Sequence, residues 1–499
     1  MKRIVVGTVK QVLWAVFYLS IGGLIVGISG MVMVLNARPD LRVWHQANLD
    51  EEFSAGSQVE TFAGYIALEE RLFAQLQNEV YDKVDPGEKR QLNRYSRSGL
   101  SNPTRWKTHW NRSFEMSRQK PNAGVLLIHG MSDSPYSMRS LAERMHREGA
   151  FAVGMRVPGH GTAPVGLVDV EWQDMAAAVR IAAKHTVERA AGAPFLIVGY
   201  SNGGALAVYY VLEALEDDSL PLPARIVLLS PQIGITKLAA LAVWQERLGH
   251  LIGLEKLAWN SILPEYDPFK YGSFALNAGK QAYLITQAIQ TRITKLSHGD
   301  ALERFPPTLA FQSAVDATVE APVLVRGLFD RLPVGGHELV LFDVNRYSKI
   351  EPLMKRDPVR WIDSMLRKRT HNFTIEAVVN ENDQTERVVI HRMRRGAEEI
   401  EVEVQPGMRW PREVYSLSHL SLPFPPDDPV YGGPSAAQSP GIQLGNIALR
   451  GERGVLQVSG TDMLRLRWNP FFDYVAQRIV GVMRSAGGDP IQARRPPTH

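Results

Sequence analysis

Gly199-Tyr200-Ser201-Asn202-Gly203 fits the pattern G-x-S-x-G, which holds a serine on a tight turn between a strand and a helix. Glycine at both flanks removes Cβ atoms that would clash as the backbone reverses. The hydroxyl then stands above the sheet edge, at the positive end of the following helix, where it can act as a nucleophile. Glycine and serine are common, so context carries the reading. The apolar run Pro194-Phe-Leu-Ile-Val198 precedes the turn and the small-residue stretch Gly203-Gly-Ala-Leu-Ala207 follows it. A nucleophilic serine needs donors for the oxyanion it generates, and losing one such donor costs about 10²–10³ in rate. The backbone N–H of Asn202, next after the serine, is one expected donor. The other is expected from the loop that ends an earlier strand. Gly124-Val-Leu-Leu-Ile128 runs into His129-Gly130-Met131, which makes the N–H of Met131 the candidate. The ring of His129 is read as structural.

These residues must be held by a regular scaffold, and the flanking pattern supplies one. A helical stretch from Ser137 to Glu148 is followed by the apolar run Ala152-Val-Gly-Met-Arg156, which ends at Pro158-Gly159-His160-Gly161. A helix is expected over Glu171 to Ala190, then the strand leading to Ser201, then a helix, then the strand Ala224 to Ser230. Strands alternating with helices imply βαβ units and a mainly parallel sheet. Pro231 to Arg304 breaks the alternation, with helical patches at Leu238 to Leu251 and Gln281 to Leu296. This reads as an inserted cap. Strands resume at Pro307 to Ser313 and at His337 to Phe342. Phe373 to Val404 alternates like one or two hairpins, with a turn at Asn380 to Asp383. Pro470 to Met483 is the expected last helix. Upstream, Val59, Phe62, Ile66, Phe73, Leu76 and Val80 recur at helical spacing, an amphipathic helix that packs on the main domain or spaces it from a membrane. The expected organisation is therefore an N-terminal anchor (1–37), a lead-in with that helix (38–120), a main domain (121–484) and a flexible tail (485–499). Within the main domain the cap covers about 231–305 and a β-rich insertion about 345–412.

Leu127-Ile-His-Gly130, Pro158-Gly-His-Gly161, Trp172 and Asp174 before a helix, and Gly199-Tyr-Ser-Asn-Gly203 together resemble the α/β-hydrolase superfamily. The nearest branch is that of the monoacylglycerol lipases and serine-aminopeptidase-like hydrolases. The resemblance covers about Gly124 to Ser230 and the surroundings of Asp316, and neither the N-terminal run nor the lead-in helix. It implies an α/β-hydrolase fold with a helical cap, acyl transfer to water through an acyl-enzyme, and no cofactor. It also implies a chain order of serine, acid, histidine. Asp316, in Gln312-Ser-Ala-Val-Asp316-Ala-Thr-Val319, follows a strand as the acid should; Asp330 and Asp343 are its rivals. The histidine of such a site commonly follows the last strand, yet His337-Glu-Leu-Val-Leu-Phe342 is followed by Asp343-Val-Asn-Arg346. Past the insertion, Tyr415-Ser-Leu-Ser-His419-Leu-Ser-Leu-Pro423 offers a histidine before a Pro-rich loop. His419 is the expected base, with His337, His371 and His391 as alternatives. The resulting site is Ser201, Asp316 and His419 with the amides of Met131 and Asn202. The expected activity is cleavage of carboxylic esters, lipid-like or with hydrophobic acyl groups. Peptidase or acyltransferase chemistry on the same residues is the alternative, and a non-catalytic scaffold is a second class.

Composition narrows the remainder. The 499 residues carry a formal charge of only +4, which gives no support to nucleic-acid binding. Cysteine is absent, so thiolate nucleophiles, disulfides and Cys-ligated zinc are excluded. No H-E-x-x-H, Walker loop or dinucleotide fingerprint occurs, and neither a cofactor nor a metal is expected. Asn111-Arg-Ser113 and Asn372-Phe-Thr374 are chance matches to a glycosylation pattern. Val12 to Leu35 carries no charge and is long enough for a transmembrane helix, which takes about 20 apolar residues. Lys2, Arg3 and Lys10 precede it, so the expected arrangement is an uncleaved single-pass anchor with the main domain on the extracytoplasmic side, periplasmic in a Gram-negative cell.

Overall fold

The computed structural model of the chain describes residues 2–85, 87, 92–234, 255–447, 455 and 457–487. Its centre is a ten-stranded sheet whose middle strands are runs apolar on both faces. A short strand β1 (Phe114–Met116) precedes β2 (Gly124–Ile128), β3 (Phe151–Met155), β4 (Phe195–Tyr200) and β5 (Arg225–Leu229). Two small strands, β6 (Trp259–Ser261) and β7 (Phe274–Ala275), pair only with each other. The main sheet resumes with β8 (Thr308–Ser313) and β9 (Glu338–Phe342), then β10 (Thr374–Asn380), β11 (Arg387–Met393) and β12 (Glu401–Arg409). Every residue of β2, β3, β4 and β8 is buried, as a parallel sheet covered on both faces requires.

The strand order is β1-β3-β2-β4-β5-β8-β9-β10-β11-β12. Pairing is parallel from β3 across to β10 and antiparallel at both margins. The order reverses between β2 and β4, so their carboxyl ends diverge into the crevice where such sheets place their sites. Alternate side chains feed two cores. On one face lie α2 (Phe62–Glu79), α4 (Trp172–Ala190), α5 (Asn202–Ala214), α6 (Leu276–Leu296) and α7 (Val359–Arg367); on the other lie α3 (Tyr136–Arg147) and α8 (Phe472–Ala486).

The periodic patch at Gln281 to Leu296 falls within α6. Its buried Ile285, Ile289 and Ile293 share a core with Ala205 and Leu206 of α5, so this helix covers the sheet. The patch at Leu238 to Leu251 lies outside the described residues. The strands after β9 do more than form hairpins: β10 pairs in parallel with β9 and carries β11 and β12 outward. Asn345 then recovers the chain after this excursion. Its N–H donates to Tyr415 O (2.7 Å) and its Nδ2 to Val414 O (2.9 Å) and Pro411 O (3.1 Å). The polypeptide therefore leaves the end of β9 and returns to it.

The lead-in is part of this body. Thr61 caps α2 by accepting from the Gly64 amide. Phe53, Phe62, Tyr65 and Leu68 join the same core as Leu126 and Val153. Ahead of it, α1 is a 35-residue helix (Lys2–Asn36). The transmembrane span expected within it is not supported: among the described residues, no helix is long and apolar enough to cross a membrane. Just past α1, Arg38 donates to Lys256 O and Asn260 O, both at 2.8 Å, and Lys256 Nζ reaches Asp40 at 2.8 Å.

Candidate active site

Ser201 links β4 to α5 with φ 53° and ψ −116°, a backbone conformation that costs a non-glycine residue energy. The fold holds it there. Its N–H donates to Leu229 O (2.9 Å), and its carbonyl accepts from Gly204 and Gln232 (both 3.0 Å). The flanking glycines are required by contact. A Cβ on Gly199 would lie 2.4 Å from Gly203 O, and one on Gly203 would lie 2.1 Å from Ile128 O. That second approach draws the start of α5 against the end of β2, and so brings Ser201 beside His129-Gly130-Met131.

Three side chains from distant parts of the sequence meet at this turn. His419 Nε2 lies 2.9 Å from Ser201 Oγ, and His419 Nδ1 lies 2.8 Å from Asp316 Oδ2. Asp316 sits beyond β8, where its Oδ1 accepts from the amides of Thr318 (2.8 Å) and Val319 (3.0 Å), and its Oδ2 from Gln312 Nε2 (3.0 Å). Burial pushes the Asp316 carboxyl up, but His419 and the two amides outweigh it and leave the group below its ordinary value. An ionised carboxylate only accepts, so Nδ1 carries the imidazole proton and Nε2 is left to accept from the serine. The His419 segment is fixed by Ser313 Oγ donating to Leu417 O (3.0 Å) and Tyr200 Oη donating to His419 O (3.2 Å).

Part of the chain is similar to known proteins. Residues 119–344 match the model of the family described as serine aminopeptidase, S33. Residues 119–344 have the α/β-hydrolase fold. A thermostable monoacylglycerol lipase of Bacillus sp. (strain H-257) is 34% identical over 86 residues, which are 17% of this chain and 34% of that protein. The chain thus spans about a third of that curated relative. Among solved structures, the metagenome-derived lipolytic enzymes LipS and LipT are 22% identical with TM-score 0.37, over 47% of this chain and 88% of theirs. The monoacylglycerol lipase of Paleococcus ferrophilus is 17% identical with TM-score 0.34, over 46% of this chain and 87% of its own.

The hydrolase segment ends at 344, before the histidine that reaches the serine. The sheet explains the gap, because β10 to β12 intervene. The other candidates lie elsewhere. His337 precedes β9, at the opposite end of the sheet from Ser201. His391 is within β11. His371 faces Asp330 at 3.9 Å, and Asp343 is paired with Arg346 at 2.9 Å. Asn202 follows Ser201 directly, and Met131 follows Gly130, whose backbone approaches Ser201. Asn202 opens α5, where amides have no acceptor within the helix. A Cβ on Gly130 would lie 3.1 Å from Ser201 Cβ. His129, read from sequence as structural, has a defined place: Val157 N–H donates to its Nε2 (3.0 Å), and its Nδ1 lies 2.9 Å from Gly130 O. Sequence reasoning passed over Gln312, Tyr200 and Asn345 as supports. For Asn345 a signal existed, since it stands just past the strand where a histidine was sought. Among the described residues, no group of three or more His, Asp or Glu could hold a metal.

The Asp316 environment carries a pH prediction. Its folded pKa is depressed, so its contribution to stability is present above the unfolded value of about 3.9 and is lost as pH falls through the lower folded value. The stability difference between the parent and Asp316→Asn should be full at neutral pH and shrink below about pH 4. Chemical denaturation at a series of pH values measures it; a gap independent of pH would contradict the assignment of charge.

Proposed function

We propose that the chain is a serine hydrolase of carboxylic esters, with Ser201 as nucleophile, His419 as base and Asp316 orienting the imidazole. The observation that carries this reading is the continuous Asp316–His419–Ser201 contact at the carboxyl end of the sheet. His419 takes the Oγ proton as the serine attacks the ester carbonyl. The amides of Met131 and Asn202 receive the oxyanion, and His419 returns the proton to the departing alkoxide. Water, deprotonated by the same imidazole, then releases the acid. Acyl groups of hydrophobic character are supported by the likeness to a protein named a monoacylglycerol lipase. Leu13, Trp14, Phe17, Leu19 and Leu24 on α1 are all more than half exposed or exactly at half, apolar surface that calls for a cover.

The test is labelling by a fluorophosphonate, with turnover of p-nitrophenyl esters from acetate to laurate measured in parallel. Full-length parent in detergent should be labelled and active, and Ser201→Ala should lose both. An unlabelled, folded parent rejects the hydrolase. A parent that turns over short and long esters alike rejects the preference for hydrophobic acyl groups.

A further inference from the structure

The lead-in, which precedes the hydrolase segment, reaches the support of one oxyanion donor. Arg156, at the end of β3, is fully buried, and its guanidinium meets Glu52 of the lead-in through two 2.8 Å contacts, Nη1 to Oε2 and Nη2 to Oε1. Glu52 Oε2 also accepts from the Gly159 amide (2.9 Å), while Arg156 Nη1 donates to His160 O (3.0 Å). Glu52 therefore binds both the arginine and the turn that follows it. Between these two points stands Val157, whose N–H donates to His129 Nε2 (3.0 Å).

An N–H can only donate, so Nε2 accepts and the ring's proton is on Nδ1. Nδ1–H then donates to Gly130 O (2.9 Å). Burial keeps the imidazole neutral, well below its ordinary pKa, which preserves this one-donor, one-acceptor arrangement. Gly130 O and Met131 N–H belong to one planar peptide, and no peptide bond of the described chain is cis. In a trans peptide the two point in opposite directions. Holding Gly130 O on His129 thus sets the direction of the Met131 N–H on the other side. We propose that Glu52 is a positioning residue for the oxyanion amide of Met131, acting through Arg156, Val157 and His129. The inference rests on the hydrolase reading above. It makes the lead-in part of the catalytic apparatus in addition to packing on it.

The alternative is that Glu52 only neutralises a buried arginine, which would affect stability and leave catalysis alone. Full-length parent, Glu52→Gln and Glu52→Asp are compared in detergent for Tm, for kcat and KM on p-nitrophenyl butyrate, and for inhibition by an alkyl trifluoromethyl ketone, whose serine adduct carries the same oxyanion. For Glu52→Gln, kcat should fall about 10- to 100-fold with KM within about threefold, and the ketone should bind more weakly by a matching factor. Glu52→Asp keeps the charge beside Arg156 but is one methylene shorter and cannot span Arg156 and the Gly159 amide together. It should show the same split more mildly, and it decides the matter if Glu52→Gln does not fold. A lowered Tm with unchanged kcat and ketone affinity overturns the positioning role. An inactive, unlabelled parent overturns the hydrolase reading and this role with it, whereas an active parent with unaffected variants overturns the role alone.

Discussion

Replacing His419 by alanine should lower kcat for a p-nitrophenyl ester by about 10⁴- to 10⁶-fold while KM changes little. The size follows from geometry. With Nε2 at 2.9 Å from Ser201 Oγ, the imidazole is the group placed to take the proton. Without it, the hydroxyl must ionise at its own high pKa. Asp316 cannot substitute, because its carboxylate lies on the far side of the ring, at Nδ1. Fluorophosphonate labelling should slow in parallel, since phosphonylation also needs an activated oxygen. His337→Ala is the matched control: that ring is buried at the start of β9, and its loss should alter stability and leave kcat within a few-fold. Full labelling in folded His419→Ala would mean that the base lies elsewhere and that the 2.9 Å contact is incidental.

What could be read from the sequence divides along the range of the interactions involved. Ser201 is legible because its determinants are local: a strand, two glycines and a small-residue helix within a dozen positions. Met131 and Asn202 are proposed by the same logic, each from its place at the end of a strand or the start of a helix. Asp316 is legible because an acid after a strand is a local pattern too. His419 is harder. Its position depends on Asn345 recapturing the chain after three added strands. Nothing in the residues around 419 encodes that return. Glu52 lies beyond such reading altogether, because its partner is 104 positions away and a glutamate in a polar stretch is ordinary. The helix at Gln281 to Leu296 shows a different limit. Its periodicity marks an apolar face correctly, but periodicity does not say what that face meets, and α6 meets α5 and the sheet core.

Gly203→Ala should be severely damaging, and the reason is steric. The added Cβ would lie 2.1 Å from Ile128 O and 2.6 Å from His129 O. Both are backbone atoms at the end of a central strand, so no side chain can rotate away. Relief requires α5 to move off β2 by about 1 Å, the distance between these contacts and ordinary van der Waals approach. That motion carries Ser201 and the Asn202 amide away from Met131, and a misplacement of this size costs about 10² in rate. It also strains the buried seam between helix and sheet, at a cost of about 1–3 kcal/mol or more. Gly481→Ala in α8 is the contrast, since its Cβ would meet nothing within 4 Å and the position is exposed. Alanine there should be neutral or stabilising by up to about 1 kcal/mol. Thermal unfolding and ester turnover, measured on both variants, separate the effect of lost glycine freedom from the effect of this one contact. If Gly203→Ala melted and turned over like Gly481→Ala, α5 would not press against β2 as described, and the proposal that the Met131 and Asn202 amides share one oxyanion site would fail.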